Sequence, residues 1–346
     1  MDDTRVHAQL RSVASCRPRR SVSNARLAPG LGTTDAWIQR RTGVEARGVA
    51  SAEESLDAMA ARAAASALER AGLTAADLDF VLAASMSPGP RRQALAELVA
   101  ERLIRPGCPA LDVNAACAGF CYALELARSL VADRAFRAIL VVGADRMTDL
   151  LDPDDVATAA LFADGAGAAV VTAGPDPGIG NAVWGSDTSR RDLIHQDHRA
   201  QRRTSAGHAP LTMSGPSVYR WALQELPNLA REAVARAGVA LDDLAAFIPH
   251  QSNGRVIAAL ASALELAPEA IVASDIVHSG NTAAASIPMA MERLLHLHPR
   301  LGGELALLLG YGAGMSYAAQ VVRLPPQPPP TSRNGGPAAS ETAVRS

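Results

Sequence analysis

The feature that most constrains the fold of this 346-residue chain is an internal echo. Ala71-Gly72-Leu73, with Asp77-Leu78 and Phe80-Val81-Leu82 after it, recurs as Ala237-Gly238-Val239 with Asp243-Leu244 and Phe247-Ile248. The Ala-Gly and Asp-Leu pairs keep a constant offset of 166 positions. Each copy reads helix, turn, strand. The next strand-like runs also correspond, Ala138-Ile139-Leu140-Val141-Val142 against Leu305-Ala306-Leu307-Leu308-Leu309. A chain that repeats such a unit is built from two similar α/β halves, and a site at their junction draws reactive groups from both. The halves are predicted as residues 1–172 and 173–324. With 48% hydrophobic residues the chain can bury a large core.

Each copy is followed, at a similar distance, by a segment that can carry chemistry. After the first comes Asn114-Ala115-Ala116-Cys117-Ala118-Gly119-Phe120, where the strand-like run 109–113 meets a helical run, 119–131. A thiol at a helix N-terminus sees the positive end of the macrodipole, which favours thiolate and lowers its pKa. Small neighbours let a substrate carbonyl approach the backbone. After the second copy comes the turn Gly280-Asn281-Thr282-Ala283-Ala284-Ala285-Ser286-Ile287-Pro288, and His250 sits just past the strand of that copy in Pro249-His250-Gln251-Ser252-Asn253. Singly, Cys117 reads as core, His250 as a structural imidazole and Asn281 as a helix cap. Together they are a nucleophile and two polar groups at strand-to-helix junctions.

Composition narrows the classes. A net charge of -2 argues against nucleic acid as a bulk partner, although Arg190-Arg191 and Arg202-Arg203 can meet an acidic ligand or line a solvated loop. All 33 basic residues are Arg, which excludes a Schiff-base lysine and a P-loop. Cys16, Cys108, Cys117 and Cys121 form no CxxC pair, and the histidines, His195, His198, His296 and His298 among them, show no metal spacing, so no metal is expected. No apolar stretch is long enough to span a bilayer and the first ten residues carry charges, which predicts a cytoplasmic protein without a membrane partner. The Pro-rich tail, 325–346, is predicted disordered. Helices are predicted over 55–71 and 91–103, buried strands over 80–84, 139–143, 168–172 and 306–309. The charged stretch 184–210 reads as irregular, a lid or pocket mouth.

With Cys117, His250 and Asn281 in place, further segments carry a resemblance: Thr34-Asp35-Ala36-Trp37-Ile38-Gln39-Arg40-Arg41-Thr42-Gly43-Val44, Phe162-Ala163-Asp164-Gly165-Ala166-Gly167-Ala168, and Gly310-Tyr311-Gly312-Ala313-Gly314-Met315-Ser316 onward to Val322. In order and spacing, over roughly residues 9 to 324, the chain resembles the thiolase-fold condensing enzymes, specifically beta-ketoacyl-ACP synthase III (KAS III) in its actinobacterial form. The resemblance implies an α/β, thiolase-like fold whose duplicated halves form a five-layered αβαβα core, and an acyltransferase that condenses an acyl group on Cys117 with malonyl-ACP, priming fatty acid or polyketide assembly. It implies a homodimer, acyl carrier protein as partner, acyl-CoA or acyl-ACP as donor, and no metal or redox cofactor.

It also assigns roles by position. Cys117 is the nucleophile, His250 and Asn281 stabilise an enolate, and the backbone N–H groups of Cys117 and Ala313 form the oxyanion hole. Trp37, Arg41, Tyr219 and Asn253 bind substrate, Arg255 meets the carrier protein, and Arg92 gates the acyl pocket. Three positions depart from the family. Val156 stands where an Arg usually assists the nucleotide end of coenzyme A, which favours a donor on a carrier protein. Arg92-Gln93 replaces a small or apolar residue and Pro, and a charge beside an alkyl chain is costly unless paired. The usual Gly near the first strand is replaced in Ala14-Ser15-Cys16-Arg17-Pro18, a change expected to affect packing only. An acyltransferase that loads Cys117 without decarboxylation, and a noncatalytic carrier-protein partner, remain as alternatives.

Overall fold

The structure is a computed structural model and describes residues 6–87, 93–196, 203–204 and 206–326. Arg92, Arg202 and all but the first two residues of the predicted tail lie outside the described residues.

The echo in the sequence is an echo in the backbone. In the first copy helix α3 (Leu56–Ala71) ends at Gly72, a 3₁₀ turn covers Ala75–Asp77, and a strand follows at Phe80–Ala84. In the second, the helix Gly215–Arg236, a 3₁₀ turn at Leu241–Asp243 and the strand Ala246–Pro249 repeat the path. Gly72 and Gly238 turn the chain with φ of 69° and 72°, a conformation that a residue with a Cβ resists. The Asp77 carboxylate accepts from Thr74 N–H and the Asp243 carboxylate from Ala240 N–H, both at 2.8 Å, so the same cap is built twice.

One sheet contains β1 (His7–Cys16), β4 (Phe80–Ala84), β5 (Ala110–Val113), β6 (Ala138–Arg146) and β7 (Asp164–Gly174) in the order β1-β7-β6-β4-β5. The second contains β8 (Val183–Ser186), β11 (Ala246–Pro249), β12 (Ile271–Val272), β13 (Leu305–Gly312) and β14 (Ser316–Arg323) in the order β12-β11-β13-β14-β8. In each, the strand that ends the repeated unit pairs in parallel with the next long strand, β4 with β6 and β11 with β13. Small pairs, β2 (Ser21–Ser23) with β3 (Ala46–Gly48) and β9 (Ile194–Gln196) with β10 (Leu211–Met213), lie beside them.

The helices make the remaining layers. α3 and α4 (Leu95–Arg102) cover the outer face of the first sheet. α5 (Gly119–Ala132) and α10 (Ser286–Leu297) touch both sheets from between, and α7 (Gly215–Arg236) and α8 (Gly254–Leu264) pack together, with α7 against the second sheet. The result is the thiolase-fold layering αβαβα. The middle helices bury Phe120, Leu124, Ile287, Ala290 and Leu294 between the two sheets, while Arg128 and Glu292 at their margins make ion pairs.

Several boundaries differ from expectation. α4 starts at Leu95 because the Asp112 carboxylate on β5 accepts from the N–H groups of Leu95 and Ala96, at 2.7 and 2.8 Å, fixing its first turn. β7 extends through Asp164–Gly174, since its glycines and alanines let α10 pack directly on it. The stretch 184–210 is not irregular throughout: Ile194–Gln196 pairs antiparallel with Leu211–Met213, driven by burial of Ile194 and Leu211. Arg17, in the departing first-strand segment, pairs with buried Asp275 at 3.1 Å and so ties β1's end to the second half.

Candidate active site

Cys117 sits in a 3₁₀ turn, Ala116–Ala118, where β5 gives way to α5. Ala116 adopts a left-handed φ of 48°, which swings the next residue off the line of the strand. The turn fits because Gly312, at the end of β13, lies against it: a Cβ on Gly312 would fall 2.8 Å from the Cys117 backbone N and 3.1 Å from its Sγ. A side chain there would press on the Cys117 backbone, so only glycine lets the turn sit this close, and the Cys117 N–H has no backbone acceptor among the described residues.

His250 follows β11 and is 2% exposed. Its Nδ1 lies 2.6 Å from Ser286 Oγ, and Ser286 Oγ also accepts, at 3.3 Å, from the Gln251 N–H. With an N–H already directed at Ser286, the serine proton is free to go to Nδ1, which leaves the imidazole proton on Nε2. Burial pushes the imidazole down to about 3, so the ring is neutral at any working pH. Asn281 follows α9 (Ile276–Ser279). Its Oδ1 accepts from the Ala283 N–H at 2.9 Å and its Nδ2 donates to the Ser252 carbonyl at 3.3 Å, so the amide cannot flip without losing both. Its backbone is stitched to the first half through Asn281 N–H to Leu161 O and Ala163 N–H to Asn281 O.

Cys117, His250 and Asn281 line one cavity of about 650 Å³. Trp37 and Arg41 on α2 (Asp35–Thr42), Tyr219 at the start of α7, and Asn253 and Arg255 at the start of α8 line it as well. The Arg41 guanidinium stands 5.5 Å from the Trp37 ring centroid and that of Arg255 5.8 Å from Tyr219. Asn253 accepts from the Arg255 N–H, capping α8, and donates to the Arg41 carbonyl, so its side chain also braces the wall. Ala313 does not line the cavity; its neighbour Gly312 does. Val156, at the start of α6 (Val156–Ala159), is on the wall, so no cation occupies that point; Arg41, Arg220 and Arg255 carry the positive charge of the described lining. Arg190 and Arg191 are exposed away from it.

The thiol is not activated in the way the sequence predicts. Burial, with the Asp145 carboxylate adding to it, pushes Cys117 above the ordinary thiol range, because its buried position withholds the water that a thiolate needs. Asp145 itself escaped the sequence reading. Fully buried on β6, it accepts from Ser85, Met86 and Ser87 and from the Ala284 N–H. Ser286, Ser252, Tyr311 and Arg220 also went unassigned. The repeat held a signal for Ser286: it follows Asn281 as Gly119 follows the Cys117 segment's Asn114, which places it over the strand end where His250 stands.

A cavity between duplicated α/β halves, with a buried Cys, a neutral His and an oriented Asn, defines a thiolase-fold acyl-transfer site. The family model for 3-oxoacyl-[acyl-carrier-protein (ACP)] synthase III matches residues 111–188, and its C-terminal counterpart matches 234–324. The chain is 42% identical over 320 residues to the mycobacterial beta-ketoacyl-[acyl-carrier-protein] synthase III of Mycobacterium avium, covering 92% of this chain and 96% of that one. It is 40% identical to beta-ketoacyl-[acyl-carrier-protein] synthase III 1 of Streptomyces coelicolor, covering 92% and 97%. Among solved structures, the priming beta-ketosynthase of the R1128 polyketide pathway superposes with a TM-score of 0.89 at 38% identity, covering 94% and 98%. 3-Oxoacyl-(acyl carrier protein) synthase III of Pseudomonas aeruginosa does so with 0.85 at 35%, covering 93% and 100%. The chain belongs to the beta-ketoacyl-ACP synthase III family.

Proposed function

We propose that this protein is a priming condensing enzyme: it takes an acyl group from a thioester onto Cys117 and joins it to malonyl-ACP with loss of carbon dioxide. In the first half-reaction Cys117 Sγ attacks the thioester carbonyl, the thiol proton leaves with the departing thiol, and the oxyanion is received by the Cys117 N–H, with the N–H of Ala313, one residue past the lining Gly312, as the second donor. Because burial disfavours a standing thiolate, charge develops on sulfur only as the donors receive the oxyanion.

In the second half-reaction the carbon–carbon bond to the malonyl carboxylate breaks. Its electron pair becomes an enolate whose oxygen accepts from His250 Nε2–H and Asn281 Nδ2–H. The enolate carbon attacks the acyl-Cys117 carbonyl, and the released sulfur takes up one proton. The steps balance without metal or redox chemistry. The observation that carries this reading is the Ser286 contact: it leaves His250 a fixed, neutral Nε2 donor, which simple acyl transfer does not use. Val156 and the basic rim of Arg41, Arg220 and Arg255 favour a donor carried on acyl carrier protein. The expected homodimer is supported by the edge position of β5 with Leu111 half exposed on it. Light scattering tests it.

The test incubates the protein with malonyl-ACP and a panel of acyl-CoA and acyl-ACP donors while following carbon dioxide and intact mass. Acylation at Cys117 with carbon dioxide release and a 3-oxoacyl product establishes condensation. Acylation without release overturns it in favour of transfer to another acceptor, and no acylation by any donor favours the noncatalytic partner.

A further inference from the structure

Two hydroxyls in the cavity have no part in the mechanism above. Tyr311, near the end of β13, is 2% exposed, and its ring meets His250 edge-on, with centroids 5.3 Å apart and planes at 80°. Its hydroxyl is hydrogen-bonded to Ser252 Oγ. Both residues line the cavity with Cys117, His250 and Asn281. Burial raises the Tyr311 phenol, so it keeps its proton.

Two hydroxyls carry two protons, and their mutual hydrogen bond uses one. Among the described residues neither oxygen has another side-chain or backbone acceptor. Whichever donates to the other, one O–H is unspent in a mostly apolar chamber, and an unspent donor beside a nucleophile calls for a ligand oxygen. The acyl oxygen already has the two backbone amides, and the enolate oxygen has His250 and Asn281. The polar group of the extender left without a partner is its free carboxylate.

We propose that the Tyr311–Ser252 hydroxyl pair binds the malonyl carboxylate and so selects a carboxylated extender thioester. This rests on the condensing reading. The contact is made to an anion in the ground state and vanishes as neutral carbon dioxide leaves, so it tightens binding without speeding bond cleavage.

The test uses the full chain with Tyr311→Phe, which keeps the ring, and Ser252→Ala, which keeps the fold should the first variant fail to express. KM for malonyl-ACP is expected to rise about ten-fold in either variant, the loss of one charge-assisted hydrogen bond, with kcat for carbon dioxide release unchanged or higher. Acylation of Cys117, which involves no carboxylate, is expected to change much less. An unchanged KM, or a fall in kcat matched by a fall in acylation, overturns the proposal and leaves the pair a packing element. Should the unaltered chain release no carbon dioxide, the condensing reading fails, and binding decides the pair's role separately. A malonyl-ACP over acetyl-ACP preference that collapses in Tyr311→Phe supports carboxylate binding, and a preference that is absent or unmoved overturns it.

Discussion

The turn bearing Cys117 and the turn bearing Asn281 are one piece of backbone used twice. Ala116 and Ala283 both hold left-handed φ, 48° and 47°, both open a 3₁₀ turn, and those turns lead into α5 and α10, the two helices shared between the sheets. A non-glycine residue in that conformation costs of order 1 kcal/mol, so its double occurrence marks a scaffold requirement. Residues at matching positions differ. Cys117 corresponds to Ala284, Gly312 to Asp145, Gly119 to Ser286 and Ala84 to His250. In the second turn the Ala284 N–H is spent on the Asp145 carboxylate at 2.9 Å. In the first the equivalent amide, that of Cys117, packs beside Gly312 and has no backbone acceptor among the described residues. Conversely, Gly119 and Ala84 simply pack together, a Cβ on Gly119 falling 2.8 Å from that of Ala84, whereas Ser286 and His250 make a hydrogen bond. The same geometry thus yields an open amide beside a nucleophile on one side and an aimed imidazole on the other.

Closing the open amide should produce the largest effect. Gly312→Ala puts a methyl against the Cys117 N–H, and we expect Cys117 acylation, read as the burst in intact mass, to fall by about 10²–10³-fold, the usual loss of one oxyanion donor. A normal burst would remove the Cys117 amide from the mechanism. On the other side, His250→Ala and Asn281→Ala should each reduce carbon dioxide release about 10²-fold while acylation persists. Equal loss of both half-reactions would instead make the two residues structural.

The raised thiol gives a pH test of the first turn. Since Cys117 stays protonated through neutrality, its alkylation by iodoacetamide should climb about ten-fold per pH unit from neutral into alkaline solution without a plateau. A plateau near neutrality would show a standing thiolate. The His250 imidazole, held down to about 3, should impose no acid limb on carbon dioxide release between about pH 5 and 7. A smaller effect is expected from Ser286→Ala, which restores the first half's lack of a partner and frees the imidazole tautomer. Condensation should fall about ten-fold, and Ser286→Thr, which keeps the hydroxyl, should recover part of it. Loss of acylation to the same extent would assign Ser286 to packing.

The duplication, with Asp77 and Asp243 at its matched positions, and the placement of Cys117, His250 and Asn281 at strand-to-helix junctions were legible because local rules wrote them: glycine stops, apolar runs, turn residues. What stayed hidden depends on which side chain faces which across the halves. Asp145 looks like the end of a strand until Ala284, 139 positions on, is known to donate to it. Tyr311 and Ser252 lie in motifs that carry the resemblance, yet their pairing appears only when β13 and β11 are set side by side. The lowered pKa expected for Cys117 gives way to a raised one for the same reason: a helix end is visible in sequence, whereas the burial and the Asp145 carboxylate that raise the thiol are not.

Asp145 offers the subtlest way to sharpen the comparison, through stability. Its carboxylate is buried with only neutral donors around it, and no ion pair reaches it among the described residues. Burial raises the carboxyl from its ordinary 3.8 to about 6. The folded state therefore holds a proton that the unfolded chain has released over that interval. Stability from this group is fully present below the unfolded value and is lost as pH rises through about 6. Asp145→Asn has nothing to titrate there. Relative to the variant, the unaltered protein should lose stability between about pH 4 and 6 and hold a constant difference above it, as read by thermal unfolding. A difference that does not change across that interval would mean the carboxyl titrates as an exposed group. At neutral pH the variant presents an amide where Ala284 needs an acceptor, and an unpartnered buried N–H costs about 1–3 kcal/mol. The Asn281 turn should loosen accordingly, with carbon dioxide release falling several-fold and acylation by less. The effect separates the two turns: an amide that must be capped in one half and must stay open in the other.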